Sequence, residues 1–327
     1  GNHDYGLFIL DEKSRKLRKK AIRELPDSMS RLQLWAGLKQ EVDDRVLSPV
    51  EFFNIAVQAL KSEQDATVLS IILGMQHTTM HLIKDPFYHY LTPSERSVVA
   101  PKLESILFNR LINTEHFSDL KMVIFELYLF AATTPLSQKR LYRFLQKGDN
   151  IRGIKLSQDI RWNIIMNLAY NNHPKAEELI DSEKKRDPSY QGEIMELSAK
   201  VSVPSMILKK RLWPKMLSPW ELSYLVVEQA GRYVHHPDHP ELTRPFLQDY
   251  FTTLEKTDWN FSIGFVWYYL NLFFPHSLCS EEVVKMSRAS MKKAKLNSFA
   301  ERTWRDSHEK LERCVSIRNK SAQSVIR

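Results

Sequence analysis

The stretch RDSHEKLERC at residues 305–314 contains residue types that could bind zinc. In a helical H-E-x-x-H site, two histidines four residues apart lie on one helix face and bind the metal, while the Glu between them polarises a water molecule. His308 and Glu309 match the first half of this pattern, but Glu312 stands where the second histidine would be. The stretch also contains three basic residues, Arg305, Lys310 and Arg313. We therefore predict an ion-paired, solvent-facing helix here rather than a metal site.

A second group of potential ligands lies in the sequence HHPDHP at residues 235–240. Its candidate ligands are His235, His236, Asp238 and His239. Proline restricts the backbone and favours turns, so the two prolines indicate a connection between helices, with the histidines as part of that connection. Three isolated histidines lie in or beside apolar helical patterns and are predicted to be core or rim residues: His77, His81 and His89.

No further pattern in the sequence indicates catalysis. The sequence contains no Gly-rich phosphate loop, no G-x-S-x-G turn and no cysteine with a recognisable histidine partner. We therefore predict no catalytic residue, no metal ligand and no cofactor site in this chain.

The composition favours an all-α fold. Only 9 glycines and 15 prolines occur in 327 residues, too few for the many tight turns of an all-β protein. An apolar fraction of 43% is sufficient for a hydrophobic core, in one elongated or two compact domains. Because Cys279 and Cys314 are the only cysteines and no signal peptide is visible, we expect a reducing, cytoplasmic location.

The net charge of +8 raises the possibility of nucleic acid binding. The basic clusters are Lys13–Lys20, Lys184–Arg186, Lys209–Arg211 and Lys292–Lys295. The 39 acidic residues are interspersed through the same segments, and no reading helix, zinc finger or aromatic stacking motif is present. These clusters are therefore interpreted as solvated helix faces, and nucleic acid is not an expected partner.

One uncharged stretch, Trp259–Ser280, resembles a membrane span in composition. Its apolar part ends at Pro275 and is interrupted by polar residues, so it is shorter than the roughly 20 residues that a spanning helix needs. We predict a buried helix at this position and no membrane association.

The helical segments have recognisable starts. Ser48-Pro49-Val50-Glu51 places a hydroxyl at the N-cap, Pro at the first helical position and Glu three residues after the cap. The same arrangement recurs at Thr92 and at Ser218, at intervals close to one and three times the roughly 40–47 residues of a two-helix HEAT or armadillo unit. With apolar residues at i, i+3, i+4 and i+7 in between, this pattern predicts a superhelical array of antiparallel helix pairs. The run YGLFIL near the start is strand-like.

Several stretches resemble, in collinear order, the C-terminal helical domain of zinc aminopeptidases of the aminopeptidase N type. The resemblance is to the bacterial branch, whose last domain is like that of the endoplasmic reticulum aminopeptidases. The most specific match is LSQDIRWNIIMNLAYNNHPKAEELIDSEKKRDPSYQGE, similar to the family's D-x-R-W helix followed by A-E-E-x-I-D-x-E-x-x-R-D-P-S-x-x-G. Weaker matches are GNHDYGLFILDEKS, LPDSMSRLQLWAGLKQEVDDRVLSPVEFFNIAV and RTWRDSHEKLERCVSIRN. The last of these aligns His308 with an ordinary closing helix.

The resemblance implies a parent enzyme that releases N-terminal residues from peptides, with its zinc and general-base Glu in an upstream domain. It implies that residues 1–24 are the end of a β-sandwich domain and a linker, and that residues 25–327 are a helical-repeat domain forming the substrate chamber. The partners would be the upstream zinc domain and peptide substrates, whose terminal carboxylates suit the basic charge balance. The sequence GEIMEL at residues 192–197 is similar to the amine-binding G-x-M-E-N loop of aminopeptidases, but its length and final Leu indicate coincidence.

Three residues match the family's most specific motif: Asp159, Arg161 and Trp162. We expect structural roles for them, with Asp159 and Arg161 pairing or capping within the array and Trp162 packing. The alternative to an aminopeptidase domain is a stand-alone helical-repeat scaffold that binds a peptide or protein along a concave surface.

Overall fold

The computed structural model describes residues 11–74, 82–114, 118–148, 151, 153–218 and 221–325. These residues form helices joined by short connections, with no β-strand among them. The predicted all-α fold class is therefore confirmed for this part of the chain. The strand-like YGLFIL, His77 and His81 lie outside the described residues.

The α-helices are α1 Glu12–Glu24, α2 Ser28–Asp43, α3 Pro49–Ser62, α4 Ala66–Leu73, α5 Pro93–Asn113, α6 Asp119–Ala131, α7 Pro135–Lys147, α8 Gln158–Tyr170, α9 Ala176–Arg186, α10 Tyr190–Ser202, α11 Met206–Leu217, α12 Tyr224–Ala230, α13 Leu247–Lys256, α14 Ile263–Leu272, α15 Glu281–Met291 and α16 Ser298–Val325. A π-helical turn covers Pro86–Tyr90, and short 3₁₀ turns cover Gly231–Tyr233, Pro240–Leu242, Arg244–Phe246 and His276–Leu278.

Two of the three predicted helix starts are confirmed by side-chain caps. The Ser48 hydroxyl accepts a hydrogen bond from the Glu51 amide at 3.1 Å, and α3 follows directly. At α5 the arrangement is reciprocal, because the Thr92 hydroxyl accepts from the Glu95 amide while the Glu95 carboxylate accepts from the Thr92 amide at 2.8 Å. Such caps satisfy the amides of the first turn, which have no partner within the helix.

The third predicted start, at Ser218-Pro219-Trp220-Glu221, includes residues 219 and 220, which lie outside the described residues, so it stays a prediction. Ser218 is the C-cap residue of α11, and its hydroxyl donates to the Pro214 carbonyl at 3.2 Å. The next α-helix, α12, begins at Tyr224 with Ser223 as its N-cap. A hydroxyl at a helix end can also bond the free carbonyls of the preceding turn, as Ser218 does at the end of α11.

The chain divides into two compact units, an N-terminal unit of residues 1–132, 151–154 and 316–327 and a C-terminal unit of residues 133–150 and 155–315. In the N-terminal unit, each helix contacts the next but one: α1 packs on α3, α2 on α4, α3 on α5 and α4 on α6. A chain of edge-to-face aromatic contacts runs through its core, from Trp35 to Phe52, Phe53 and Phe87. These rings are buried, and their packing sets the spacing of the helices.

The C-terminal unit is also built from alternate helices. One row consists of α8, α10, α12 and α14, each in contact with the next, while α11, α13 and α15 form a second row. The core between them is rich in large side chains, among them Trp213, Trp259, Tyr269 and Trp304. Helix α8 also packs on α7 and α9. Contacts between consecutive helices therefore occur in this unit alongside those between alternate helices.

The uncharged stretch around α14 contributes to this core. Phe265, Val266, Tyr269 and Leu270 on α14 are buried, which agrees with the predicted buried helix. Within the described ranges, no helix is both long enough and apolar enough to cross a bilayer.

The two cysteines are joined. Cys279, in the loop after α14, forms a disulfide with Cys314 on α16, with their Cα atoms 5.7 Å apart. The expectation of a reducing compartment is not supported, because the tertiary packing brings two residues 35 positions apart in sequence into bonding distance. Two cysteines are too few for a framework of several disulfides, but they are sufficient for one.

The segment 1–24, predicted as the end of a β-sandwich domain and a linker, contains a helix in its described part. Helix α1 covers residues 12–24 and packs against α2 and α3. A buried ion pair attaches it to α2, with 2.6 Å between Arg18 Nη1 and Glu41 Oε2. The boundary at residue 24 between two domains stays a prediction.

Candidate functional site

The residues that match the family motif lie in one network that joins α8, α9 and α10. Ser157 caps α8 by accepting from the Ile160 amide, which places Arg161 and Trp162 in the second turn. The guanidinium of Arg161 donates through Nε and Nη2 to both carboxylate oxygens of Glu183 on α9, at 2.6 to 3.0 Å. Bidentate geometry of this kind is among the strongest side-chain pairings in proteins.

Glu183 is the centre of that pairing. Its side chain is 2% exposed and accepts further hydrogen bonds from Gln158 at 2.8 Å and from Arg186 at 2.9 Å. Burial alone raises the pKa of Glu183, but the hydrogen bonds from Arg161 and Gln158, together with the charges of Arg161 and Arg186, outweigh it and lower this pKa below its ordinary value. Glu183 is therefore a charged, fully paired residue and has no proton to exchange with a substrate.

Asp159 takes no part in this pairing. It lies exposed in the first turn of α8, where a carboxylate interacts favourably with the positive end of the helix dipole. Arg161 pairs with Glu183 instead. The expectation that Arg161 pairs within the helical array agrees with this geometry, and the structure identifies α9 as the source of its partner.

Trp162 connects α8 to the turn between α9 and α10. Its indole is buried, and Nε1 donates to the Asp187 carboxylate at 2.9 Å. The other carboxylate oxygen of Asp187 accepts from the Ser189 hydroxyl at 2.5 Å, and Ser189 caps α10 by accepting from the Gly192 amide. Hydrogen bonds from Ser189 and Trp162 lower the pKa of Asp187. Trp162 therefore has a polar partner as well as the packing role predicted for it.

Gly192 completes the network through close packing. A Cβ atom added at this position would lie 2.2 Å from the Asp187 carbonyl oxygen and 2.8 Å from its carboxylate carbon. The turn before α10 therefore has room only for glycine. This close packing gives the glycine of GEIMEL a structural reason.

The histidines of HHPDHP act in tertiary contacts of the C-terminal unit. His235 Nε2 donates to the Phe273 carbonyl at 2.6 Å, and its Nδ1 lies 3.3 Å from the Thr243 hydroxyl. His236 Nε2 donates to the Tyr170 carbonyl at 2.7 Å, while its Nδ1 accepts from the Asp238 amide at 3.2 Å. Because a carbonyl can only accept and an amide N–H can only donate, His236 is held as the neutral Nε2–H tautomer.

The electrostatics around His236 reinforce that state. Burial lowers the pKa of His236 to about 4, and the nearby positive charges of His239 and Lys209 act in the same direction. The imidazole stacks on Tyr170 with 3.9 Å between ring centroids. Lys209, a buried residue of α11, donates from Nζ to the Val234 carbonyl, and burial lowers its pKa to about 7. No local sequence pattern distinguishes Lys209 from its basic neighbours, which indicate an exposed helix face.

His308 is buried, contrary to the predicted solvent-facing position. Its Nδ1 lies 3.0 Å from the Ser287 hydroxyl of α15, and the same hydroxyl accepts from Trp304 Nε1 at 3.0 Å. Its Nε2 lies 3.3 Å from Glu312, which also pairs with Arg288. The ion-paired character of the stretch is present, but His308 belongs to the contact between α15 and α16. Among the residues that the structure describes, no group of three or more His, Cys, Asp and Glu side chains could hold a metal ion.

The basic clusters carry ion pairs in several places. In α1, Lys16 pairs with Glu12 at 2.7 Å and Lys20 with Glu24 at 3.5 Å. Lys184 lies 3.7 Å from Glu193. This pairing agrees with the interpretation of these clusters as helix faces with charges of both signs.

Comparison with known proteins identifies the class of this chain. Residues 7–313 match the protein family described as the ERAP1-like C-terminal domain. The match covers nearly the whole chain, so the chain belongs to this family. The resemblance to the C-terminal helical domain of aminopeptidases is thereby confirmed at the level of the family. No curated protein matches the chain.

Proposed function

We propose that this chain is the C-terminal helical domain of an aminopeptidase N type zinc enzyme of the bacterial branch, and that it forms the wall of the chamber in which peptides are held. The family match over residues 7–313 carries this proposal. Catalysis would belong to an upstream zinc domain, where zinc activates the water that attacks the first peptide bond. The domain described here would be inactive alone.

The side chains of this domain support a role in forming the wall of the substrate chamber rather than in bond cleavage. The titratable groups of the motif are occupied by structural partners: Glu183 by Arg161, and Asp187 by Trp162 and Ser189. His235 and His236 use both ring nitrogens in contacts to the protein. The residues described here do not fit a zinc site. From the family resemblance, we propose that the zinc of the parent enzyme belongs to the upstream domain.

The arrangement of helices supports a wall. In the C-terminal unit, α8, α10, α12 and α14 lie side by side, with serine N-caps at the start of each. Rows of this type are the building principle of HEAT-like arrays, and we propose that the helices of this chain form such a superhelical array.

One edge of the row offers a surface suited to peptides. Tyr190 OH lies 3.2 Å from the Ser223 hydroxyl, and the Tyr224 ring packs edge-to-face on Tyr268 with centroids 5.1 Å apart. Tyr190 is 58% and Ile263 68% exposed. Exposed aromatic and apolar side chains bind extended peptides well, so we propose that this edge contacts peptide residues beyond the first.

Reconstitution with the upstream domain tests the proposed function. The upstream domain and this chain are prepared separately and together, and hydrolysis of an aminoacyl-arylamide and of a longer peptide is measured. We expect no hydrolysis by this chain alone, and longer peptides to be cleaved efficiently only when both parts are present. Chelator-sensitive hydrolysis by this chain alone would contradict the assignment, as would an upstream domain whose activity on peptides is unchanged by its presence.

The family match does not favour the alternative of a stand-alone scaffold. Peptide substrates and the upstream domain are the partners that we propose. A cytoplasmic location stays a prediction from the low cysteine count, and the disulfide argues against it, because cytosolic thiol systems keep cysteines reduced.

A further inference from the structure

The disulfide between Cys279 and Cys314 lies in a well-packed part of the C-terminal unit. Cys279 follows the 3₁₀ turn His276–Leu278 and is half-buried against the core, while Cys314 on α16 is 1% exposed. Leu278 next to the first cysteine and Val315 next to the second are both buried in the same hydrophobic core. The two sulfur atoms are therefore brought together by core packing on both sides.

Independent contacts fix the two segments that the disulfide joins. Trp304 and His308, on the α16 turns that precede Cys314, both bond the Ser287 hydroxyl of α15 at 3.0 Å. On the other side, the loop after α14 is held through the Phe273 carbonyl, which accepts from His235. Each cysteine thus belongs to a segment that is fixed by tertiary contacts of its own, independently of the disulfide.

We infer that Cys279 and Cys314 are oxidised in the functional protein, and that this domain folds and works in an oxidising compartment. The bond forms by thiol–disulfide exchange with a disulfide-carrying oxidoreductase. Two thiols of this chain lose two electrons and two protons to become one disulfide, and the oxidoreductase disulfide takes them up to become a dithiol. This inference concerns location and stability, and it does not depend on the proposed aminopeptidase function.

The expected benefit is thermal stability of the region from α14 to α16. The bond closes a loop with a sequence separation of 35 residues, which contains all of α15. Closing a loop of this size restricts the unfolded chain, and in a unit of this size its loss should lower the melting temperature by on the order of 10 °C.

The redox state is tested directly on the full natural chain in its source cells. Cells are quenched with acid, free thiols are blocked with N-ethylmaleimide without prior reduction, and the digest is examined by mass spectrometry. We expect a cross-linked peptide pair containing Cys279 and Cys314. Recovery of both cysteines as maleimide adducts would overturn the inference and restore the cytoplasmic prediction.

A mutant cycle tests the role in stability. The variants are Cys279→Ala, Cys314→Ala and the double variant, with melting temperatures measured with and without dithiothreitol. If the disulfide is present, the melting temperature of either single variant falls nearly as much as that of the double variant. Reductant then lowers the melting temperature of the wild type only. Additive losses of the single variants, or a wild type indifferent to a reductant that demonstrably frees both thiols, would contradict the stabilising role.

Discussion

The indole of Trp162 donates to the carboxylate of Asp187 at 2.9 Å, across the turn that separates α9 from α10. This contact holds the C-terminal end of α9 against the second turn of α8. Asp187 is held in turn by the Ser189 hydroxyl and faces Gly192 so closely that a side chain at that position has no room. The family motif therefore contains residues that pack three successive helices against one another.

Substitution of Gly192 by alanine should destabilise the C-terminal unit. The added methyl group would lie 2.2 Å from the Asp187 carbonyl oxygen, so the turn before α10 must shift. Overpacking of this kind costs about 1–3 kcal/mol of unfolding free energy. Chemical denaturation monitored by circular dichroism measures the loss.

Gly37→Ala provides the matched control for that experiment. Gly37 lies within α2, and a Cβ atom there would meet nothing within 4 Å. Alanine is the better helix former, so this variant should gain about 0.5–1 kcal/mol. Equal effects of the two substitutions would show that the close approach at Gly192 is not what selects glycine.

Removal of the charge on Glu183 should be costly. Glu183→Gln leaves the largely buried guanidinium of Arg161 without its anionic partner, and breaking a buried pair in this way costs about 3–5 kcal/mol. The exposed pair of Arg244 and Glu282, at 2.9 Å, offers a comparison in the same unit. Glu282→Gln should cost less than about 1 kcal/mol, because exposed pairs are screened by water.

The pair of Arg161 and Glu183 also predicts that the stability of the folded protein depends on pH in the acidic range. The pKa of Glu183 is lower in the folded state than in the unfolded chain, so its contribution to stability is fully present above pH 4.5 and is lost as the pH falls through the lower, folded value. Urea denaturation of wild type and Glu183→Gln across this range should show the two stabilities converging in acid. A difference that stays constant from neutral pH downward would exclude the ion pair as its origin.

His236 predicts a second dependence on pH, at higher values. Its folded pKa of about 4 lies below the ordinary 6.5, so the unfolded chain binds a proton that the folded protein excludes. The contribution of neutral His236 to the free energy of unfolding is therefore fully present above pH 6.5. It is lost as the pH falls from 6.5 to 4, by up to about 3 kcal/mol. Protonation would also put a second N–H against the Asp238 amide, which now donates to Nδ1.

The test compares His236→Gln with wild type and with His239→Gln. Glutamine does not titrate and can still donate to the Tyr170 carbonyl, so His236→Gln should lose less stability than wild type between pH 6.5 and 4. His239 is a neighbour whose side chain is 41% exposed, and its replacement should leave most of the wild-type slope. Parallel curves for wild type and His236→Gln would refute the assignment of the slope to His236.

The sequence predicted what local chemistry determines. The start of α3 follows from the hydroxyl cap of Ser48, and the start of α5 from the reciprocal caps of Thr92 and Glu95. Both predictions are correct. The burial of His308 was also accessible, because Trp304, His308, Leu311 and Val315 follow the spacing of one helix face, and its charged neighbours obscured that pattern.

Tertiary contacts could not be predicted from the sequence in the same way. The pairing of Cys279 with Cys314 and of Arg161 with Glu183 depends on how helices pack, which no local pattern specifies. The motif listed Glu183, Asp187, Ser189 and Gly192 in the correct order, but only their contacts in space show why these residue types are needed. The basic neighbours of Lys209 predict a surface position, whereas packing in the C-terminal unit buries its side chain and places Nζ against the Val234 carbonyl.

The exposed edge formed by Tyr190, Tyr224 and Ile263 leads to a prediction about substrate length. In the proposed complete enzyme, Tyr190→Ala combined with Tyr224→Ala should raise KM for peptides of eight to ten residues roughly three- to tenfold, because each lost aromatic contact is worth on the order of 0.5 kcal/mol or more. KM for an aminoacyl-arylamide, which has no residue beyond the first, should not change. Leu136→Ala, at another exposed apolar residue, is the control. An equal effect on both substrates would indicate a general disturbance of the enzyme, and no effect on peptides would remove this edge from the proposed peptide surface.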